Sequence, residues 1–298
     1  MGTLLEGTQI AEGMERELIR EVAGLSSAPQ LRILFFDTKA SQLFWQVQHD
    51  AAKSIGIGGT GQAHSLHPEP WKRGSVELES DRVSQQEIRE IIQEWNEDAG
   101  IHGIFIHQPL PPQIDPQQIS ALIDPRKDVE GIHPQNMARR FFARARIGSC
   151  TALAVMRLIE ETGADLEGKE AVVVGHSEIV GRPVSMLLLD RLATTTVCHI
   201  GTDKAGRLEE HVRRADILVV AVGRPRFIKG AWIKLGAIVI DVGINVKDGR
   251  VVGDVEFEAA KERAAFISPV PGGVGPVTVM MAMKNTVEAF KLQRDGIS

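Results

Sequence analysis

The chain contains no tyrosine, two cysteines and 5% aromatic residues among its 298 positions. Two distant thiols, Cys150 and Cys198, make neither a disulfide framework nor a cysteine-bound metal cluster, and they suit a reducing compartment. No apolar run approaches the ~18 residues that cross a bilayer, so no membrane-spanning helix is expected. The segment Met1 to Glu6 lacks a basic region followed by an apolar run, so no signal peptide is expected and a cytoplasmic location is. No basic stretch stands out and the net charge is −5, which argues against nucleic acid as a partner. What is present suits a packed protein: 43% hydrophobic and 24% charged residues, in a length that fits two ordinary domains.

Residues 9–24 place apolar side chains at helical spacing, residues 31–36 (LRILFF) read as a strand, and residues 40–56 return to helical spacing and stop at Gly56. The stretch 58–80 carries His64, His67 and Trp71 and has no period. It reads as a long loop, either a cap over a substrate site or a surface insertion. No cysteine or carboxylate cluster joins the two histidines, so no metal is expected. A capping box, Ser84 with Glu87, opens a helix over 84–98, and a strand over 103–107 is closed by Pro109, Pro111 and Pro112. Beyond a break near 145–150, apolar strands are expected at 170–174, 194–199, 216–222, 237–242 and 266–271, with helices at 208–215 and 277–292. The alternation predicts βαβ units, and the uniformly apolar strands predict a parallel sheet covered on both faces.

After the strand at 170–174 comes Gly175-His176-Ser177-Glu178-Ile179-Val180-Gly181-Arg182-Pro183. A glycine ends the strand and another follows six residues later as a helix begins, an arrangement whose backbone N–H groups can hold a pyrophosphate. Ser177 keeps it from being a strict G-x-G-x-x-G. Gly223 and Gly243 stand at the ends of two further strands, where open α/β sheets bind ligands.

Here the chain resembles the methylenetetrahydrofolate dehydrogenase/cyclohydrolase family. GHSEIVGRPVSMLLL is similar to that family's G-x-S-x-x-V-G-x-P turn. The segments ILVVAVGRPRFIKGAWIKLGAIVIDVGIN, VVGDVEF and SPVPGGVGPVT follow in matching order, and Ala40-Ser41-Gln42, Lys127-Asp128-Val129 and His133-Pro134-x-Asn136 match earlier. The likeness covers roughly residues 5–290. It implies a two-domain α/β fold: a Rossmann-like parallel-sheet nucleotide domain (148–276) and a smaller α/β substrate domain (1–147 plus 277–298), with the folate in a cleft between them, and a homodimer. It also implies NADP or NAD as cofactor, held by Gly175, His176, Ser177, Ile179, Val180, Gly181, Arg182, Pro183, Ile200, Gly223, Gly243, Ile244, Asn245 and Thr278. The family's cation for a 2′-phosphate falls at His176 or Ile200; Lys204 and Arg207 can substitute for it or form a solvated loop.

The resemblance further implies hydride transfer from 5,10-methylenetetrahydrofolate and hydrolysis of the methenyl product, the second step driven by a lysine in an S-x-x-Y-x-x-x-K helix. In this chain Ser41 is kept, the tyrosine position is Phe44 and the lysine position is Gln48, which cannot transfer a proton near neutrality. The family's strand-end glutamine aligns with His107, a new titratable group that is either a general base facing Glu130 or a packed histidine. The aspartate for the pterin's amino-pyrimidine edge aligns with Glu130, and Pro271, Gly272 and Gly273 complete the substrate side. The reading is an NAD(P)-dependent oxidoreductase acting on a reduced folate or similar heterocycle, with the cyclohydrolase step lost or severely weakened. The alternatives are a paralogue for another cyclic amine, iminium or pterin-like compound, and a non-catalytic dinucleotide-binding protein.

Overall fold

The structure is a computed structural model that describes residues 2–61, 74–142 and 145–295. His64, His67 and Trp71 lie outside the described residues. The chain divides into two compact units, one of Met1–Glu12 with Thr151–Thr278, the other of Gly13–Cys150 with Val279–Ser298.

The first unit is built on a six-stranded sheet. Its strands are β1 (Thr3–Leu4), β5 (Glu170–Val174), β6 (Thr194–Cys198), β7 (Ile217–Val220), β8 (Ile238–Asp241) and β11 (Phe266–Ile267), in spatial order β1-β11-β8-β7-β5-β6. Every pairing is parallel. Strands β5, β7 and β8 are almost wholly buried, as their Val/Ile runs require of a sheet covered on both faces, whereas β6 (TTTVC), expected to be apolar, is an edge strand with only Cys198 fully buried. Helices α7 (Gly181–Asp190), α8 (Ile200–Lys204), α9 (Leu208–Arg214) and α10 (Phe257–Lys261) connect them. A short antiparallel pair, β9 (Asn245–Lys247) and β10 (Arg250–Val252), turns at Asp248-Gly249, both at positive φ.

The second unit holds a three-stranded parallel sheet ordered β3-β2-β4, from β2 (Leu31–Phe36), β3 (Val76–Leu78) and β4 (Gly103–Ile106). Around it stand α2 (Lys39–Ile55), α3 (Gln85–Glu97), α4 (Pro116–Ser120) and α5 (Pro134–Phe141); α6 (Cys150–Glu160) belongs to the first unit apart from Cys150. Its core gathers Ile88, Ile91, Ile92 and Trp95, the apolar face of α3, against Leu34, Ile104 and Ile106. Helices α1 (Gly7–Ala23) and α11 (Val274–Asp295) likewise have residues in both units.

Three expectations need correcting. The N-terminal residues do not belong with the substrate side: Thr3 pairs with Phe266 and Leu4 with Ile267, which extends the six-stranded sheet by one edge strand. The second unit contains more residues than the first, so it is the smaller one only in strand count. The stretch 58–80 is not all loop, because Leu34, Phe35 and Phe36 pair with Val76, Glu77 and Leu78.

Candidate active site

Helix α2 carries the positions of interest at i, i+3 and i+7. Ser41, Phe44 and Gln48 therefore share one face. Thr38 fixes its start by accepting from the Ser41 backbone N–H (3.2 Å), and Gly56 ends it in the left-handed region at φ +92°. That face meets His107, which follows β4. His107 is 2% exposed and Gln48 is fully buried.

The polar contacts form one chain. The Phe36 backbone N–H donates to Ser41 Oγ (3.1 Å), Ser41 Oγ lies 2.8 Å from His107 Nδ1, and His107 Nε2 lies 2.7 Å from Gln48 Oε1. Phe44 stands with its ring centroid 5.0 Å from that of His107, and Phe35 at 5.9 Å. Burial pushes His107 down to about 3, so the ring is neutral and carries one proton. The arrangement that satisfies most groups sends the Ser41 hydroxyl proton to Nδ1 and the Nε2 proton to the Gln48 oxygen. The Gln48 Nε2 amino group then has no partner among the described residues. A buried donor left in that state costs ~1–3 kcal/mol, and a ligand acceptor would satisfy it.

Glu130 sits beside this chain but is not bonded to the imidazole. Its Oε2 accepts from the backbone N–H of Ile106 (3.1 Å), one residue before His107. Burial raises its carboxyl well above the ordinary range, and the nearby Asp128 pushes the same way. Of the two readings of His107, the geometry matches the packed histidine and not a base facing Glu130, since both ring nitrogens are bonded, to Ser41 and Gln48. The turn bearing Glu130 is tied down by its neighbours. Lys127 donates to the carbonyls of Trp95, Asn96 and Asp98, while Asp128 accepts from His133 N, Ile132 N and Asn136 Nδ2. Asn285 of α11 closes the same region by donating to the carbonyls of Val129 and Gly148 (both 2.8 Å).

In the first unit, Gly175, His176 and Ser177 follow β5 and Gly181 opens α7. Side chains are barred at both glycines. A Cβ on Gly175 would fall 2.3 Å from the Ala221 carbonyl oxygen, and one on Gly181 would fall 2.1 Å from the Gly175 carbonyl oxygen. Ser177 Oγ accepts from the backbone N–H of Val180 (3.2 Å), setting the turn; Ile179 is 41% exposed, and Arg182 and Pro183 occupy the first turn of α7. Beside the turn is a cavity of about 320 Å³ lined by His176, Ser177, His199, Ile200, Asp203 and Arg224, among others. Such a cavity at the carboxyl ends of β5, β6 and β7 fits the adenosine end of a dinucleotide. Lys204 and Arg207 are not among its lining residues; Arg224 is.

Gly223 and Gly243 have a role the motif reading missed. Asp254 accepts from three successive backbone N–H groups, Val222 (2.7 Å), Gly223 (2.9 Å) and Arg224 (2.7 Å), and from Asn245 Nδ2 (2.9 Å). A Cβ on Gly243 would fall 2.2 Å from the Asp254 carboxyl carbon, so Gly243 makes room for that carboxylate. Asp241 accepts from Gly243 N, Asp254 N and Val255 N, and burial raises it to about 7. The string GDV marked this place in the sequence without revealing the bonds. Ile244 is 71% exposed, Thr278 bonds back to the Val274 carbonyl within α11, and Pro271, Gly272 and Gly273 form the turn into that helix, where Gly272 O accepts from Thr8 N (3.2 Å). Among the described residues no group of three or more His, Cys, Asp or Glu side chains is placed to hold a metal ion. No described helix is long and apolar enough to cross a membrane.

Fold and site together define an α/β enzyme of the nicotinamide-dinucleotide-dependent class. Comparison with known proteins narrows the class. Residues 5–130 match the tetrahydrofolate dehydrogenase/cyclohydrolase catalytic domain, and residues 149–294 match the NAD(P)-binding domain of the same family. The bifunctional protein FolD 2 of Myxococcus xanthus is 43% identical over 292 residues, covering 96% of this chain and 95% of its own. The FolD protein of Halothermothrix orenii is 43% identical over 297 residues, with 98% and 99% covered. A solved structure of the Trypanosoma brucei methylenetetrahydrofolate dehydrogenase-cyclohydrolase, complexed with NADP and an inhibitor, superposes with a TM-score of 0.89 at 36% identity, covering 100% of this chain and 99% of that one. The chain belongs to the tetrahydrofolate dehydrogenase/cyclohydrolase family.

Proposed function

We propose that this chain is an NAD(P)-dependent 5,10-methylenetetrahydrofolate dehydrogenase whose cyclohydrolase step is lost or severely weakened. The observation that carries the reading is the 2.7 Å contact between Gln48 and a neutral His107 where the resemblance places the lysine and its partner. Hydrolysis of a methenyl group needs a side chain that gives and takes protons near neutral pH. Gln48 cannot, His107 has both ring nitrogens bonded, and Glu130 is held as a buried carboxyl against its neighbouring strand. The hydride step asks less of the protein, because the bound nicotinamide accepts the hydride and the residues supply placement. On this reading Gln48 Nε2 donates to the substrate, Glu130 and the Phe44 ring position the heterocycle, and Gly175, Ser177 and Gly181 form the turn under the pyrophosphate.

The test mixes purified protein with methylenetetrahydrofolate and NAD or NADP, following reduced cofactor and methenyl product, then follows methenyl decay with and without protein. Cofactor reduction with decay no faster than the spontaneous rate supports the proposal. Protein-accelerated decay would sink it. The Glu130 geometry favours a second reading, a different cyclic amine, iminium or pterin-like substrate, since its carboxyl is raised and already bonded to Ile106. Dinucleotide binding without any folate turnover would sink the first reading, and cofactor reduction with another cyclic amine or pterin-like compound would then separate this one from a non-catalytic dinucleotide-binding protein.

A further inference from the structure

The orientation of the Gln48 amide is decided at a distance from it. Phe36 ends β2 beyond Leu34, the last position paired with β4, so its backbone N–H is left for Ser41 Oγ (3.1 Å). That hydroxyl already accepts, and its one proton goes to His107 Nδ1 at 2.8 Å. A neutral imidazole whose Nδ1 accepts carries its proton on Nε2, which reaches Gln48 Oε1 at 2.7 Å. The Gln48 amino group is thereby turned away from the ring, fully buried and without a partner among the described residues. The reverse polarity fails at its first contact. With the ring proton on Nδ1, Ser41 Oγ would accept twice, and its hydroxyl proton would have no bond among the described residues. A buried donor stranded in that way favours the first arrangement about tenfold or more. The ring cannot exchange its nitrogens by turning over in place, because Phe35, Phe44 and Phe105 stand against it with centroids 5.9, 5.0 and 5.8 Å away.

We propose that Ser41 and His107 are positioning residues that hold Gln48 with its amino group outward, so that the site selects a ligand presenting a lone pair there, on a carbonyl oxygen or a ring nitrogen. A ligand N–H or ammonium at the same point would face donor against donor and leave both groups unpaired, which is how a site rejects a near relative of its ligand. Ser41 and His107 do not touch the ligand; they act through Gln48, which does. Loss of the Ser41 hydroxyl removes the reason for Nδ1 to be the accepting nitrogen. Gln48 can then turn its amino group to Nε2 and its oxygen to the ligand, and the selection is lost. That the ligand is a reduced folate rests on the dehydrogenase reading; the relay from Phe36 to Gln48 rests on the contacts alone.

The test reads the ring tautomer and the kinetics together. In the long-range 1H–15N spectrum of the whole protein labelled with 15N-histidine, the one signal of nine that His107→Gln removes belongs to His107. It should show Nδ1 unprotonated and Nε2 protonated; the opposite tautomer overturns the proposal. Ser41→Ala should mix the two tautomers and raise KM for methylenetetrahydrofolate ~tenfold with a much smaller change in kcat, as loss of a contact made equally in ground and transition states does. Ser41→Thr keeps the hydroxyl and should restore both the tautomer and KM. Gln48→Met should raise KM alike, and adding Ser41→Ala to it should change KM no further, since the relay then has nothing to orient. Additive effects of the two changes overturn the proposal. So does a Ser41→Ala protein whose tautomer is unchanged while kcat and kcat/KM fall together, the outcome of a merely structural serine. Absence of turnover with NAD and with NADP sinks the dehydrogenase reading instead, and the tautomer with its dependence on Ser41 still decides for or against the relay.

Discussion

At the scale of single residues, the substitutions at positions 48 and 107 are coupled, because their side chains touch at 2.7 Å. An ammonium placed at 48 alone would donate to His107 Nε2 once the ring proton moves to Nδ1, facing Ser41, and would be tied to the imidazole. Gln48→Lys by itself should therefore yield no methenyl hydrolysis, whereas Gln48→Lys with His107→Gln should raise it ~10²-fold over the spontaneous rate, the low end of what a positioned acid–base group supplies. Equal rates in the single and double variants would show the two positions to be independent. His107 also leaves a mark on stability. It takes a proton at about 3 when folded, against ~6.5 for a free imidazole, so the unfolded chain binds the extra proton between those values. The contribution is complete above the unfolded value and is lost as pH falls toward the folded one. Wild type should lose about 2 kcal/mol more stability than His107→Gln between pH 7 and pH 5, read by urea denaturation at each pH. Residue types at the candidate site were legible from the S-x-x-F-x-x-x-Q helix. The bonds were not, because nothing in one strand-end histidine tells which nitrogen meets which partner across 59 or 66 positions of chain.

At the scale of elements, long periodic segments read well and short ones did not. The apolar run 31–36 and the capped helix begun at Ser84 appear where expected. Strand β3 went unread because three residues are too few to show a period, and its partner lies 42 positions away. The β9–β10 pair carried a readable Asp-Gly turn signal between valine-bearing runs. Glycines sort by what surrounds them. Gly13 lies within α1 and its nearest atom to a new Cβ is a flexible Arg16 terminus at 3.9 Å. Gly13→Ala should stabilise by ~0.5–1 kcal/mol in urea titration. Gly181→Ala, whose Cβ would overlap the Gly175 carbonyl, should weaken dinucleotide binding by more than ~tenfold in a calorimetric titration with NAD or NADP, through displacement of the turn.

At the scale of the whole molecule, the division of the chain follows sheet pairing more than sequence order. The first residues join a sheet whose remaining strands begin at position 170, and two residues, Thr3 and Leu4, carry no pattern from which that could be read. Thr3→Pro removes the N–H that donates to Ala265 O (2.8 Å) and should lower protection of the β11 amides in hydrogen exchange, while β2 amides stay unchanged. The Asp254 carboxylate occupies three consecutive amides after β7. It is an anion the protein supplies to itself, seated in the kind of concavity that elsewhere captures phosphate. Those amides are closed to any visiting charge, which leaves the turn after the adjacent strand β5 as the proposed seat of a cofactor's phosphates, and the shape of the loop after β7 is fixed before any ligand arrives.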